Sequence, residues 1–286
     1  MKKIRNVLTW MMLSILLAYG GLIFGKFISF FATAPLLLLK GSLETVIFLP
    51  SYRNVITDNL SFLGIIILVV IISKIVDKNI PKIRDSMKIR CTKYLSGVFI
   101  SILMMVGLLT ILLITDTIEL GTEVKWKPVG ILLVLISFMI QAYAEEYLFR
   151  GLILERIRRT NGMIVSILCT NIMFALLHAM NPGMSIISVC NIVLFGILFS
   201  IITWKTGSIT VASGVHMGWN FCNEMVLGLP NSGLICRDAI FPCQISRESI
   251  WFHKVNGAEG GIAVTIILCI TFGFMVMLMK SQTNPK

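Results

Sequence analysis

Long apolar runs separated by short charged stretches dominate this chain. They cover roughly Val7 to Phe31, Asn59 to Ser73, Tyr94 to Thr115, Pro128 to Ile153, Met163 to His178, Ile186 to Trp204, Ser208 to Leu227 and Gly260 to Met279. Most approach the ~20 residues that a helix needs to cross the hydrocarbon core. In lipid only helices and closed barrels satisfy every backbone polar group, and these runs do not alternate as barrel strands do. The pattern predicts an all-α, polytopic transmembrane helix bundle of about eight spans. Ala34 to Pro50 is also apolar, but Lys40 and Glu44 interrupt it, and it reads as an interfacial or re-entrant segment. There is no internal repeat, long linker or soluble domain. The chain divides into N-terminal transmembrane helices over 1–127, core helices over 128–227, and an outer loop with a last transmembrane helix over 228–286.

Composition agrees. Charged residues make up 14% and hydrophobic residues 56%, against about 25% charged in soluble domains. The net charge of +11 would suit nucleic acid, but the basic residues flank apolar runs, where Lys and Arg orient helices and meet anionic lipid. The expected partner is the lipid bilayer, with no nucleic acid. Lys74 to Lys93 carries seven Lys or Arg and two Asp, whereas Asp116 to Lys127 carries three acids and two Lys. The positive-inside rule puts the first loop in the cytoplasm and the second outside. Arg156, Arg158, Arg159, Lys205 and the tail from Lys280 then also lie inside. The expectation is a multi-pass protein of the cell membrane with both termini cytoplasmic and the loop from Gly228 to Gly257 outside. Lys2, Lys3 and Arg5 precede an apolar stretch without a clear small-residue cleavage site, which reads as a retained first helix. Cys236 and Cys243 share the outer loop, either bridged or as two thiols.

Lipid penalises a charge near the bilayer centre by at least ~2.5–3.5 kcal/mol, so such a group usually faces a cavity or a partner. Three places qualify. In the fourth run, Glu145 and Glu146 are adjacent and point about 100° apart on a helix. Glu146 and Arg150 share a face and suit an ion pair, which leaves Glu145 as the free acid. A snorkelling cluster near the cytoplasmic end is the plainer reading. In the fifth run, Phe174 and His178 are four apart, so the ring can buttress the imidazole. An interfacial histidine is the alternative. In the seventh run, His216 and Asn220 share a face that Glu224 continues, with an inter-helix hydrogen bond as the alternative. The chain has three His in all; His253 falls in the outer loop and reads as incidental. Together, Glu145, His178, His216 and Asn220 supply a base, two imidazoles and an amide donor, the parts needed to activate water and stabilise an oxyanion. Counted at ~1.5 Å per residue from the cytoplasmic ends, His178 would lie deeper than Glu145 unless its helix tilts.

Glu145-Glu146-x-x-x-Arg150, Phe174-x-x-x-His178 and His216-x-x-x-Asn220, in this order on successive helices, resemble the motifs of the CPBP or Abi family of CAAX prenyl endopeptidases and bacteriocin-processing relatives. The resemblance covers about Pro128 to Leu227, with no motif position missing. It implies an endopeptidase fold with its active site in a membrane-embedded cavity. Glu145 would activate water with His178 assisting, and His216 and Asn220 would be oxyanion donors. Glu146, Arg150 and Phe174 would support them. Glu145, His178 and His216 also match the ligand count of a catalytic zinc, although there is no HExxH. The expected substrate is a peptide or protein segment in the membrane. A non-catalytic immunity or scaffold protein of the same fold is the alternative. A transporter fits less well, since paired broken helices and repeat symmetry are lacking.

Overall fold

A computed structural model describes residues 2–38, 50–76, 86–236 and 238–283. It is a helix bundle whose helices follow the apolar runs. Helix α1 (Lys2–Leu38) leads. Helices α2 (Pro50–Leu60) and α3 (Leu63–Val76) follow, divided by a turn at Ser61 and Phe62. Next come α4 (Met87–Ile114), α5 (Pro128–Glu146), a π-helical turn (Tyr147–Ile153) and α6 (Leu154–Asn161). The second half holds α7 (Met163–His178), α8 (Ile186–Thr206), α9 (Ile209–Phe221) with a π-helical turn (Cys222–Val226), and α10 (Ile262–Thr283). Among the described residues, five stretches, 3–34, 52–76, 87–114, 128–161 and 186–206, are long and apolar enough to cross a membrane, and 163–178 and 262–277 are shorter apolar helices.

Helix starts and stops obey local chemistry. Pro128 opens α5 at a position whose N–H has no helical acceptor. A reciprocal capping box between Ser185 and Ser188 opens α8, and Gly207, with φ of 64°, closes it in the left-handed region. Ser208 caps α9.

The second run departs from expectation: the helical stretch starts at Pro50 rather than Asn59. Its polar first part lies outside the apolar run, yet Tyr52, Val55 and Ile56 are buried against protein, as is Asn59. Asn59 donates to Ser137 Oγ at 3.2 Å across to α5. Hydropathy measures affinity for lipid, and this segment faces the bundle. Of the supposed re-entrant segment, 34–38 ends α1 and 39–49 lies outside the described residues, as does 77–85 of the basic loop.

Helix α9 is the axis of the bundle, buried at every residue from Val211 to Asn220. It lies against α4 with only backbone between them. A Cβ on Gly214 would stand 2.3 Å from the Tyr94 carbonyl oxygen, and one on Gly97 would stand 2.2 Å from that of Val211. Small residues four apart give this close approach in membrane helices. Around α9, one apolar core joins α4, α8 and α10 through Leu108, Phe195, Trp219 and Val264. A second joins α1, α3, the first π turn and α7 through Leu17, Val69, Leu148 and Phe174.

The segments between α4 and α5 and between α9 and α10 fold together at one end. Strand β1 (Ile118–Glu119) pairs antiparallel with β2 (Gln244–Ile245), and Lys125 meets Asp238 at 3.1 Å. Cys236 and Cys243 are unbridged. Cys236 is fully buried, its Sγ 3.9 Å from Met225 Sδ. His253 has a structural role, its Nδ1 accepting the backbone N–H groups of Val255 and Asn256.

Candidate active site

The two cores meet around a cavity of about 230 Å³ lined by Glu145, His178, His216 and Asn220. Glu145 comes from α5, His178 from the end of α7, and His216 and Asn220 from α9. His178 therefore reaches the same cavity as Glu145 despite its apparent depth. The lining is not confined to 128–227. Ala18, Tyr19 and Leu22 of α1 and Asn59 of α2 close one side, and Asn231, Ser232 and Glu259 close another.

Glu145 and Glu146 diverge as their adjacency requires: Glu145 lines the cavity and Glu146 does not. Glu146 is fully buried, and its Oε1 accepts from Arg150 Nη1 at 3.1 Å. The Arg150 Nη2 donates to Asn171 Oδ1 at 3.0 Å and to the Gly196 carbonyl at 3.1 Å. The guanidinium also lies over the Phe174 ring, 4.6 Å from its centroid. A side chain at Gly196 would meet Asn171 Oδ1 at 2.5 Å and Arg150 Nη2 at 3.0 Å, so glycine keeps that carbonyl open to arginine. The cluster follows Glu146 directly into the π turn, an element common at functional sites.

Glu146 has a second partner that spacing along one helix could not reveal. The same Oε1 accepts from His216 Nδ1 at 3.0 Å. Both Arg150 and His216 thus converge on one carboxylate oxygen. His216 stacks on Phe199 with centroids 5.1 Å apart, and Phe174 meets it edge-on at 6.3 Å. With Nδ1 tied to Glu146, Nε2 faces Glu145 Oε2 at 3.9 Å. His216 is thereby fixed in orientation by one acid and presented to the other, the arrangement by which a carboxylate sets an imidazole's tautomer.

His178 is oriented differently. Its Nδ1 donates to the Phe174 carbonyl at 2.7 Å, so Nε2 is the nitrogen left for chemistry. The Phe174 ring lies 4.6 Å from the imidazole, the buttress expected from their spacing. Gln141, a turn before Glu145 and absent from the sequence reading, joins the remaining parts. Its Nε2 donates to Glu145 Oε1 at 2.8 Å, and its Oε1 accepts from Asn220 Nδ2 at 3.1 Å. An uncharged amide in an apolar run four residues before the acid was the available signal. Glu145 Oε2 is left buried without a hydrogen-bond partner among the described residues.

Glu145, His178 and His216 match a zinc ligand count but do not converge as a set. No group of three His, Cys, Asp or Glu suited to a metal occurs among the described residues. His216 has its Nδ1 on Glu146 and His178 its Nδ1 on a carbonyl, which leaves each Nε2 available, as in metal-bound histidines too.

The geometry defines a multi-pass, all-α membrane protein with a buried carboxylate, imidazole and amide constellation where its central helices meet. Residues 126–222 match the family described as type II CAAX prenyl endopeptidase Rce1-like. This stretch is similar to Rce1-like domains, in agreement with the resemblance carried by the three motifs, all of which it contains. The chain is also 30% identical over 146 residues to the uncharacterized protein YyaK of Bacillus subtilis (strain 168), a match covering 44% of this chain and 49% of that protein. The chain thus spans about half the length of that curated relative.

Proposed function

We propose that this protein is an intramembrane endopeptidase that hydrolyses a peptide bond in a membrane-presented peptide or protein, in CAAX-type or bacteriocin- or signal-peptide-type processing. The observation that carries this reading is the meeting of Glu145, His178, His216 and Asn220 at one buried cavity. Glu145 Oε2 takes a proton from water while His178 Nε2 accepts a hydrogen bond from it. The oxygen adds to the scissile carbonyl carbon. The resulting oxyanion accepts hydrogen bonds from Asn220 Nδ2 and, when protonated, from His216 Nε2. The proton on Glu145 passes to the amide nitrogen as the C–N bond breaks, leaving an acid and an amine. Each such donor aimed at developing charge is worth roughly 10²–10³ in rate.

The test is cleavage by the purified, detergent-solubilised protein of peptides prepared from membrane-protein tails and leader sequences, followed by mass spectrometry. Cleavage supports the reading; a folded protein that cuts none of them supports the non-catalytic immunity or scaffold alternative. Activity is expected to survive chelation, because the three candidate ligands do not form a cluster. Loss to a chelator and recovery with zinc would instead recruit Glu145 and His216 to a metal.

Both termini face the cytoplasm in this reading, and the loop holding Cys236 and Cys243 faces outward. Impermeant maleimide applied to intact cells is expected to label Cys243 and spare buried Cys236 and cytoplasmic Cys91. Burial pushes the Cys243 thiol up, so less thiolate exists at neutral pH and labelling should quicken as pH rises. Labelling of Cys91 without Cys243 would invert the topology.

A further inference from the structure

The chain carries 25 Lys and Arg against 14 Asp and Glu, yet its cavity reverses that balance. Three carboxylates, Glu145, Glu224 and Glu259, line it among the described residues, with no Lys or Arg. The mechanism uses only the first. Glu224 and Glu259 lie beyond residues 126–222, the stretch matched to the Rce1-like family.

Glu259 is the better defined of the two. It sits in a 3₁₀ turn (Ala258–Gly260) just before α10. The Asn191 amide of α8 pins this turn, donating to the carbonyls of Glu259 at 2.8 Å and Gly261 at 3.0 Å. Thr265 in turn donates to Asn191 Oδ1 at 2.7 Å. Behind the turn, a Cβ on Gly261 would stand 1.8 Å from the Trp251 carbonyl oxygen. The carboxyl is thus aimed by rigid neighbours. It is more than nine-tenths buried, accepts a hydrogen bond from Ser232 Oγ, and lies within reach of the Trp219 indole and of both His178 and His216.

A second observation at the same wall points to a ligand. Asn231 is also more than nine-tenths buried and lines the cavity. Its Oδ1 has no hydrogen-bond donor among the described residues. A buried acceptor without a donor costs about 1–3 kcal/mol. A carboxylate and an amide oxygen lining one cavity, both acceptors, call for a donor-rich cation. An ammonium supplies three N–H groups and a guanidinium five.

Resting on the protease reading, we propose that Glu259, with Asn231 and Ser232, forms a specificity seat for a basic side chain, Lys or Arg, close to the scissile bond of the substrate. The substrate class is then a basic peptide segment drawn into an acidic, otherwise apolar cavity.

The probe is benzamidine, an aromatic cation, compared with benzamide, its neutral isostere, against the full-length protein in detergent. Benzamidine should raise the unfolding temperature of the wild type and benzamide should not. Glu259→Gln should lose the shift, and Asn231→Ala should weaken it. If Glu259→Gln fails to fold, Asn231→Ala and Ser232→Ala carry the same reading. No selective stabilisation of the wild type, or an undiminished shift in all three variants, overturns the seat. The second measurement uses a cleaved peptide in two forms, with Lys or norleucine beside the cut. The wild type should favour Lys in kcat/KM by at least roughly tenfold, mostly through KM, and Glu259→Gln should erase that ratio. Equal cleavage of the two forms by the wild type overturns the seat while leaving the protease reading intact. Benzamidine binding without any proteolysis keeps the seat and overturns the protease reading.

Discussion

Glu145→Gln is expected to yield a folded, membrane-inserted protein whose peptide cleavage falls by about 10²–10⁴-fold, the range for loss of a positioned general base. Folding should survive because the fold asks little of this carboxylate. Its Oε1 accepts from Gln141 at 2.8 Å, a bond that a glutamine oxygen can also accept. Its Oε2 is buried without a hydrogen-bond partner among the described residues, 3.9 Å from His216 Nε2. Removing a charge held in that state relieves a desolvation penalty, so the variant should unfold no earlier than the wild type. Chemistry should fail because the amide cannot take a proton from water. The check pairs thermal unfolding in detergent with a cleavage assay. A variant that keeps wild-type turnover would remove Glu145 from the mechanism. A variant that fails to fold would make it structural.

The arithmetic of helix spacing carried the reading of this site as far as single helices allow. Phe174 with His178, Glu146 with Arg150, and His216 with Asn220 are all four apart, and each pair shares a face as expected. What spacing cannot supply is which faces meet. The bond from His216 to Glu146 joins residues 70 positions apart. The Gln141 bridge to Asn220 spans 79. Both follow from α9 lying at the centre of the bundle, which depends on Gly97 and Gly214 letting two backbones touch. Hydropathy found the long apolar helices but not the polar α6, and it began the second run late, because residues such as Tyr52 look the same in sequence whether they meet water or protein. Glu259 escaped for another reason: it lies in a loop segment, and only the fold turns that loop back over the cavity.

The same geometry changes what is expected of Glu146. An acid that only holds Arg150 would affect stability alone when replaced. Here one oxygen serves both Arg150 at 3.1 Å and His216 at 3.0 Å, so stability and activity should both respond, by separable routes. Breaking a buried ion pair strands the partner charge and costs roughly 3–5 kcal/mol. Glu146→Gln should therefore lower unfolding stability by that order and depress cleavage, because His216 loses the charge that orients it. Arg150→Gln should be at least as damaging to stability, since Asn171 Oδ1 and the Gly196 carbonyl also lose their donor. Combining Glu146→Gln with Arg150→Gln removes both charges, and the two amides can still bond each other. The double variant should therefore be more stable than the sum of the single losses allows, a coupling of ~1–3 kcal/mol for residues in contact. Activity should not recover with it, because His216 still lacks its carboxylate. Chemical denaturation in mixed micelles, read beside turnover, separates the two effects. Recovery of both together would reduce Glu146 to a counter-ion for Arg150. A Glu146→Gln protein as stable as the wild type would mean that the pair is not what holds this turn.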